Sequence, residues 1–351
     1  TIIRLCELCR YISNKYSREN VASKMPPEYA PLISELLYPV AGDFDRNSYY
    51  NKIISHIIEN DISNDFIIAL CIMIQKICVN HLHIIGDIFD RGKGPHRIME
   101  ELINFDRVDI QWGNHDIVWM GAACGNEACM CNVLRNGISY NNFDALENGY
   151  GLNLRALSNF ASEVYGDDPC ENFMPKIFDR NVFDKVDAGL AAKMHKAVAI
   201  IMFKLEGQLI ERHPEYGMDH RNVLKMIDYD RMVFKTGRKE YPLQDKNLPT
   251  VDPTDPLKLR KDEEELMKVI KASFMHSEPL HRHVSFLYSH GGTYKRFNNN
   301  LMFHGCIPMT EEGEFDGPEI EGRKYTGKAL MDYIGIQTTR AYYFRDNSTQ
   351  S

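Results

Sequence analysis

His81-Leu82-His83-Ile84-Ile85-Gly86-Asp87-Ile88-Phe89-Asp90-Arg91-Gly92, followed after one intervening stretch by Val108-Asp109-Ile110-Gln111-Trp112-Gly113-Asn114-His115-Asp116, decides how this 351-residue sequence is read. Each half starts as a short apolar run and stops at a glycine, the pattern of a buried strand whose backbone turns sharply at its end. Between them, residues from about Pro95 to Ile103 repeat apolar positions at helical spacing. The order is β-α-β, and the right-handed crossover rule makes the two strands parallel neighbours. Ligands of such sheets bind outside the carboxyl ends of the strands. Both charged turns stand at those ends.

In the first turn Asp87 is an oxygen ligand on a rigid element, and Asp90 and Arg91 place opposite charges beside it. Alone, this reads equally as a salt-bridged surface turn. In the second turn Asn114 offers a neutral carbonyl oxygen suited to a hard cation, and His115 is a residue type suited to proton transfer near neutrality. Gly-Asn-His-Asp alone would also serve as a helix cap. Two such turns on neighbouring strand ends point instead to metal-assisted chemistry. A third short apolar run, Leu301-Met302-Phe303, ends at His304-Gly305 and offers an imidazole ligand. His290-Gly291-Gly292 is the rival for that role, but it follows a helix-patterned stretch.

These turns resemble the signature of calcineurin-like metallophosphatases, in which a GD-x-x-DRG turn precedes a GNH[DE] turn. The finer resemblance is to the class III, Firmicutes-type fructose-1,6-bisphosphatases. It is carried by His81 to Gly92, Gln111 to Asp116, Phe303-His304-Gly305-Cys306-Ile307-Pro308, the region Asn141 to Leu157 and a long helical insertion, and it covers nearly the whole chain. It implies a phosphoric monoester hydrolase of gluconeogenesis that takes the 1-phosphate from fructose 1,6-bisphosphate. It also implies site roles: Asp87 bridging two metal ions, Asn114 and His304 holding one of them, Asp90 orienting His115 as proton donor to the leaving oxygen, and Arg91 contacting the phosphate. Paired divalent ions acidify bound water and clamp both the attacking and the leaving oxygen. Mixed Asn, Asp and His donors suit Mn2+. Arg135 and Arg155, downstream of the core motif, are candidates for a second phosphate.

The family pattern also opens with an Asp-x-His pair and closes with a later Gly-His turn. Neither stands in a suitable place here; upstream of Gly86 there are only Gly42-Asp43-Phe44-Asp45 and His81-Leu82-His83. With Thr1 as first residue, this predicts a chain truncated at both ends and inactive by itself. The alternatives are another metallophosphatase, acting on proteins or nucleotides, and a noncatalytic scaffold that keeps the phosphatase fold.

The expected architecture is α/β: a metallophosphatase-type sheet core with flanking helices and a large helical insertion. Residues 1–78 form a helical lead-in, 79–120 and 295–351 belong to the core, and 121–294 are the mostly helical insertion. Within the insertion, Leu243 to Lys261 reads as a flexible Pro-, Asp- and Lys-rich excursion. Tyr325 to Ile336 is expected as one more helix. A net charge of -8 gives no footprint for nucleic acid. No apolar run reaches the length of a membrane span, the nearest being Phe66 to Cys78. Nine cysteines, an odd number without a secretory leader, fit reduced thiols in a cytoplasm. The C-x4-C-x-C spacing of Cys124, Cys129 and Cys131 matches no common metal site, so these read as buried or helix-borne thiols. His276, His281 and His283 read as packed or solvated positions on a helix.

Overall fold

The computed structural model describes residues 1–38, 46–177 and 183–344, which hold thirteen α-helices and ten short strands. The chain is mixed α/β and divides into two units: Thr1–Leu82 with Asp106–Val108, and His83–Phe105 with Asp109–Ser351.

The first unit contains α1 (Ile2–Ser13), α2 (Arg18–Ala22), α3 (Ala30–Leu37), α4 (Arg46–Glu59) and α5 (Ser63–Cys78). Ser17 opens α2 by accepting a hydrogen bond from Asn20 N. Apolar positions spaced three and four apart put Cys9, Ile33, Phe66, Leu70 and Met73 in one core, closed by an edge-on contact of Tyr29 with Phe66. Burying the Lys24 ammonium requires a partner, and Asp106 provides it at 2.9 Å. Lys24 and Lys76 together hold the Asp106 carboxyl below its usual range.

Along the deciding stretch, β1 (Leu82–Ile84), α6 (Pro95–Ile103) and β2 (Val108–Gln111) follow in the expected order. β1 and β2 are neighbours in a three-stranded sheet, as the crossover rule requires. The third strand, β6 (Gly291–Gly292), was not foreseen. It pairs parallel to β2 with Gly291 opposite Ile110 and Gly292 opposite Gln111. A Cβ at Gly291 would collide with the Trp112 indole, whose Nε1 donates to Leu287 O at 2.9 Å, so only glycine lets that strand approach.

After β2 come α7 (Asn114–Ala123), α8 (Glu127–Ser139), α9 (Arg155–Val164) and the 25-residue α10 (Ala188–Arg212). Asn126 and Asp187 cap α8 and α10 through Cys129 N and Leu190 N. α10 is the long axis against which α8 and α9 pack. A small antiparallel sheet follows, β3 (Ile227–Asp228), β4 (Val233–Thr236) and β5 (Lys239–Pro242), where a helical pattern had been expected. Then come α11 (Lys261–Met275) and α12 (Glu278–His290), the latter capped by Ser277.

The stretch from Leu243 to Lys261 is not the flexible excursion that its composition suggested. Thr250, Val251 and Leu257 are buried, and two fully buried lysines of α10 tie it down. Lys204 donates to Thr250 O at 2.6 Å and to Glu263 at 2.7 Å; Lys196 reaches Asp168 and Asp245, both at 2.6 Å. A buried ammonium without partners is costly, so these lysines fix whatever supplies their acceptors.

The chain then makes β7 (Tyr294–Phe297) and β8 (Asn300–Phe303), an antiparallel pair in place of the single strand expected. Asn298 and Asn299 both have positive φ, 47° and 60°, the requirement of a two-residue hairpin turn that asparagine tolerates. The remaining elements are β9 (Glu319–Ile320), β10 (Arg323–Lys324) and α13 (Gly327–Tyr343). No helix among the described residues is long and apolar enough to cross a membrane.

Candidate active site

The Gly86–Gly92 turn follows β1, and the Gly113–Asp116 turn leads from β2 into α7. They touch backbone to backbone. Gly86 has φ 79° and leaves no room for a Cβ, which would lie 2.5 Å from Gly113 N; a Cβ at Gly113 would fall on the Asp87 carboxylate. Asp87 itself has φ 56°, a conformation that non-glycine residues seldom adopt outside sites that hold them there.

What holds it is Asp116, a residue that sequence reasoning had left as a possible helix cap. Its side chain is 0% exposed. Oδ2 accepts from Asp87 N and from Gly113 N, each at 2.8 Å, and Oδ1 accepts from Phe89 N at 3.2 Å. Burial raises the carboxyl above the usual range, and the three backbone donors pull it back. One carboxylate thereby caps α7 and ties the two turns to each other. Phe89, 2% exposed, anchors the first turn by packing on Trp119 and Tyr150 at 4.9 and 6.0 Å between ring centres.

The reactive side chains converge on this junction. Asp87 Oδ1 accepts from His115 N at 3.2 Å. His115 Nε2 lies 2.9 Å from Asp90 Oδ1, and Arg91 Nε lies 3.4 Å from the same oxygen. Single ligand atoms of Asp87, Asp90 and His115 all fall within 4.8 Å of one another. The hairpin β7–β8 delivers His304, whose Nε2 stands 3.2 Å from Asp87 Oδ2. Asn114, first residue of α7, is exposed beside them.

Two details test whether a cation fits here. His304 Nδ1 lies 2.7 Å from Ile85 O; a carbonyl only accepts, so Nδ1 carries the ring proton of the neutral imidazole. In that neutral form Nε2 turns its lone pair toward the Asp87 carboxylate oxygen, and the two are placed to share a cation. Imidazole ligands of metals are commonly oriented in this way, by a carbonyl on the other nitrogen. In addition, Asp90 Oδ1 is buried without a hydrogen bond, because the approach of His115 is not aligned for one. Asp87, Asn114 and His304 therefore fit a hard or borderline divalent ion, with the Asp90 carboxylate adding negative charge beside them.

Asn136 of α8 is a second residue that the motifs did not reveal. It is 8% exposed, and its Nδ2 lies 3.2 Å from Asp90 O and 3.4 Å from His115 Nδ1. The carbonyl fixes the amide orientation, the amide nitrogen makes Nδ1 an acceptor, and the His115 proton is left on Nε2, toward Asp90. Asn142 holds the same turn through Arg91 O at 3.0 Å, and Asn141 exchanges hydrogen bonds with the backbone of Asp184. Asparagines near the end of one helix carry no motif of their own; only the fold brings them to the turn.

The other candidates separate. Arg91 lies over the Tyr140 ring at 5.1 Å, exposed. Arg135 lies on α8 with its Nε buried and without a hydrogen bond, whereas Arg155 is exposed at the start of α9. His290 stacks on Phe286 and precedes β6, so it stands at the end of that strand opposite the two turns. His83 is bound to Asp109 at 2.8 Å, His81 belongs to the first unit, and Asp43 lies outside the described residues. His283 is buried between Tyr150 Oη and Glu100 and is pushed down to about 4, mainly by burial; it joins α12 to α6. Burial pushes the Cys129 thiol up to about 12 and the Cys131 thiol up as well, which makes both poor metal ligands.

Residues 1–351 match the family model described as Firmicute fructose-1,6-bisphosphatase. A Clostridium novyi (strain NT) protein named fructose-1,6-bisphosphatase class 3 is 46% identical over 349 residues, 99% of this chain and 52% of that one. A Listeria innocua serovar 6a protein of the same name is 45% identical over 342 residues, 97% of this chain and 52% of its own. One from Bacteroides fragilis (strain YCH46) is 46% identical over 351 residues, 100% and 53%. The chain spans about half the length of the curated relatives it matches. No solved structure matches it.

Proposed function

We propose, from the fact that this chain belongs to the Firmicute fructose-1,6-bisphosphatase family, that a protein of its relatives' length hydrolyses the 1-phosphate of fructose 1,6-bisphosphate. The products are fructose 6-phosphate and inorganic phosphate, the setting is gluconeogenesis in the cytoplasm, and the metal is Mn2+. In this reading residues 79–120 and 295–351 belong to a metallophosphatase-type sheet core, 121–294 are an insertion, and 1–78 are a helical lead-in.

One observation carries the reading: Asp87, Asp90, His115 and His304 converge where two strand-end turns meet, with His304 Nε2 and Asp87 Oδ2 facing each other at 3.2 Å. Asp87, Asn114 and His304 would hold an ion, Asp87 being placed to share a second. Bound divalent ions would neutralise phosphoryl charge and lower the pKa of the attacking water. The protein's own residues do the rest. Arg91 supplies a guanidinium fork to the phosphate oxygens. His115 holds on Nε2 the proton that the leaving oxygen needs, and that oxygen takes it by displacing Asp90 Oδ1 as its neighbour. Asn136 and Asp90 together keep the imidazole from turning.

The sequence contains no Asp-x-His in place for the first ion. The 351 residues alone are therefore proposed to hold one ion and to turn over near background, since one ion cannot clamp both oxygens of an in-line displacement. The test is phosphate release, in Mn2+, by the protein at its relatives' length from fructose 1,6-bisphosphate, other sugar bisphosphates and a phosphopeptide. Fastest release from fructose 1,6-bisphosphate is expected; faster release from the phosphopeptide would sink the metabolic reading.

A further inference from the structure

In a chain of net charge -8, two cations share one aromatic ring beside the candidate site, and a third stands on the helix that leads to it. Tyr140 follows α8, four residues after Asn136. Arg91 Cζ lies 5.1 Å from the centre of its ring and Lys176 Nζ lies 5.3 Å from it. Lys176 is positioned by its backbone, whose N–H donates to Ser139 O at 2.7 Å. Arg135 stands one turn before Ser139 on α8. It and Lys176 act on the same buried imidazole: His195 is lowered by burial, against a hydrogen bond to Phe173 O that raises it, and the charges of these two residues lower it further.

Among the described residues these cations have few anionic partners. Arg91 has Asp90 at 3.4 Å, but no carboxylate among the described residues is at ion-pair distance from Arg135 or Lys176. Arg135 Nε is buried with no hydrogen bond at all. The Glu206 carboxyl is raised by burial, with the charges of Arg221 and Arg135 pulling it back, and it makes no ion pair with Arg135. A buried, unsatisfied guanidinium N–H costs free energy that an anionic ligand would recover. The ring of Tyr140 is a weak substitute, able to hold the cations in place until an anion draws them. Asn136, between Arg135 and Ser139 on the helix, touches both His115 and Asp90, so this cluster adjoins the turn where phosphate chemistry is proposed.

We propose that Arg135 and Lys176, with Arg91 at their border, form a second anion site that takes the phosphate remaining on the sugar of a bisphosphate substrate. The inference rests on the phosphatase reading for the identity of its ligand, and it deepens that reading by saying why a bisphosphate would be preferred to a monoester. Arginine can bind a phosphate through two parallel N–H bonds, while lysine adds a flexible point charge.

The test measures binding without turnover. The 351-residue chain is titrated calorimetrically with fructose 1,6-bisphosphate in EDTA, as wild type and as Lys176→Met, Lys176→Arg, Arg135→Met and, at an exposed arginine between β4 and β5, Arg238→Met. One charge-assisted hydrogen bond corresponds to roughly a tenfold change in Kd. Lys176→Met is expected to weaken binding by about that factor, Lys176→Arg to restore most of it, and Arg238→Met to change nothing. Arg135 is partly buried, so its variant could unfold; Lys176 is exposed, and its variants carry the test in that case. Unchanged binding in Lys176→Met, or no binding by wild type, overturns the proposal. Hydrolysis is measured separately in Mn2+: Lys176-dependent binding supports this site even if the protein at its relatives' length releases no phosphate, which would count against the phosphatase reading instead.

Discussion

Replacing Asp116 probes the joint on which the site depends. In Asp116→Ala three buried backbone donors, Asp87 N, Gly113 N and Phe89 N, lose their acceptor at once. Each stranded donor costs about 1–3 kcal/mol, so the sum lies at roughly 3–9 kcal/mol, with the lower half favoured because a water can enter the space vacated. Asp116→Asn is the discriminating control. Its oxygen best occupies the Oδ2 position, preserving two bonds and turning the amide nitrogen toward Phe89 N, so the loss is one bond, about 1–3 kcal/mol. Total stability for a domain is about 5–15 kcal/mol, which puts the alanine variant near collapse and leaves the asparagine variant folded. Urea unfolding followed by tryptophan fluorescence reports the unit directly, since Trp112 and Trp119 are both buried in it. A loss below about 1 kcal/mol in Asp116→Ala, or equal losses in the two variants, would refute the reasoning.

The other predictions concern chemistry, packing and pH. His115→Ala, made at the relatives' length, lowers turnover by roughly 10²- to 10⁴-fold while metal content by elemental analysis stays near wild type, whereas Asp87→Ala strips the metal. Gly113→Ala drives a methyl into the Asp87 carboxylate and lowers stability by about 1–3 kcal/mol in thermal unfolding, with loss of bound ion; an unchanged ion affinity would contradict the close approach of the turns. Asp168 is raised by burial but more than offset by hydrogen bonds from Lys196, Cys170 N and Asn247, and it settles at about 2. A carboxyl lowered in the fold contributes stability above its unfolded value, near 4, and loses it as pH falls toward 2. The urea midpoint should decline across that window in wild type and decline less in Asp168→Asn.

The parts of the site that could be read from sequence are those fixed by local chemistry. Asp87, Asp90, Arg91, Asn114 and His115 sit in two glycine-marked turns because strand ends and close backbone approach demand that pattern, and the pattern is contiguous. His304 was legible for the same reason, although the hairpin that carries it was not recognised; Asn298-Asn299 between apolar runs was the available signal. Asp116 and Asn136 act across the fold, on residues about 25 to 45 positions away, and no spacing announces such a contact. β6 is two glycines long, with no side chain to give it a strand pattern. The excursion at Leu243 to Lys261 failed as a flexible loop because Lys196 and Lys204, whose residue type gives no sign of it, are buried and need its acceptors.

The central claim is that Asp87 and His304 form a cation site. It is tested most directly by titrating the 351-residue chain with Mn2+ and following the free ion by electron paramagnetic resonance, in wild type, His304→Ala and His290→Ala. The account predicts one ion per chain, held 10- to 100-fold more weakly, on the order expected for loss of a supporting group, in His304→Ala and unchanged in His290→Ala. Two tightly held ions, or binding that survives His304→Ala and disappears in His290→Ala, would contradict it.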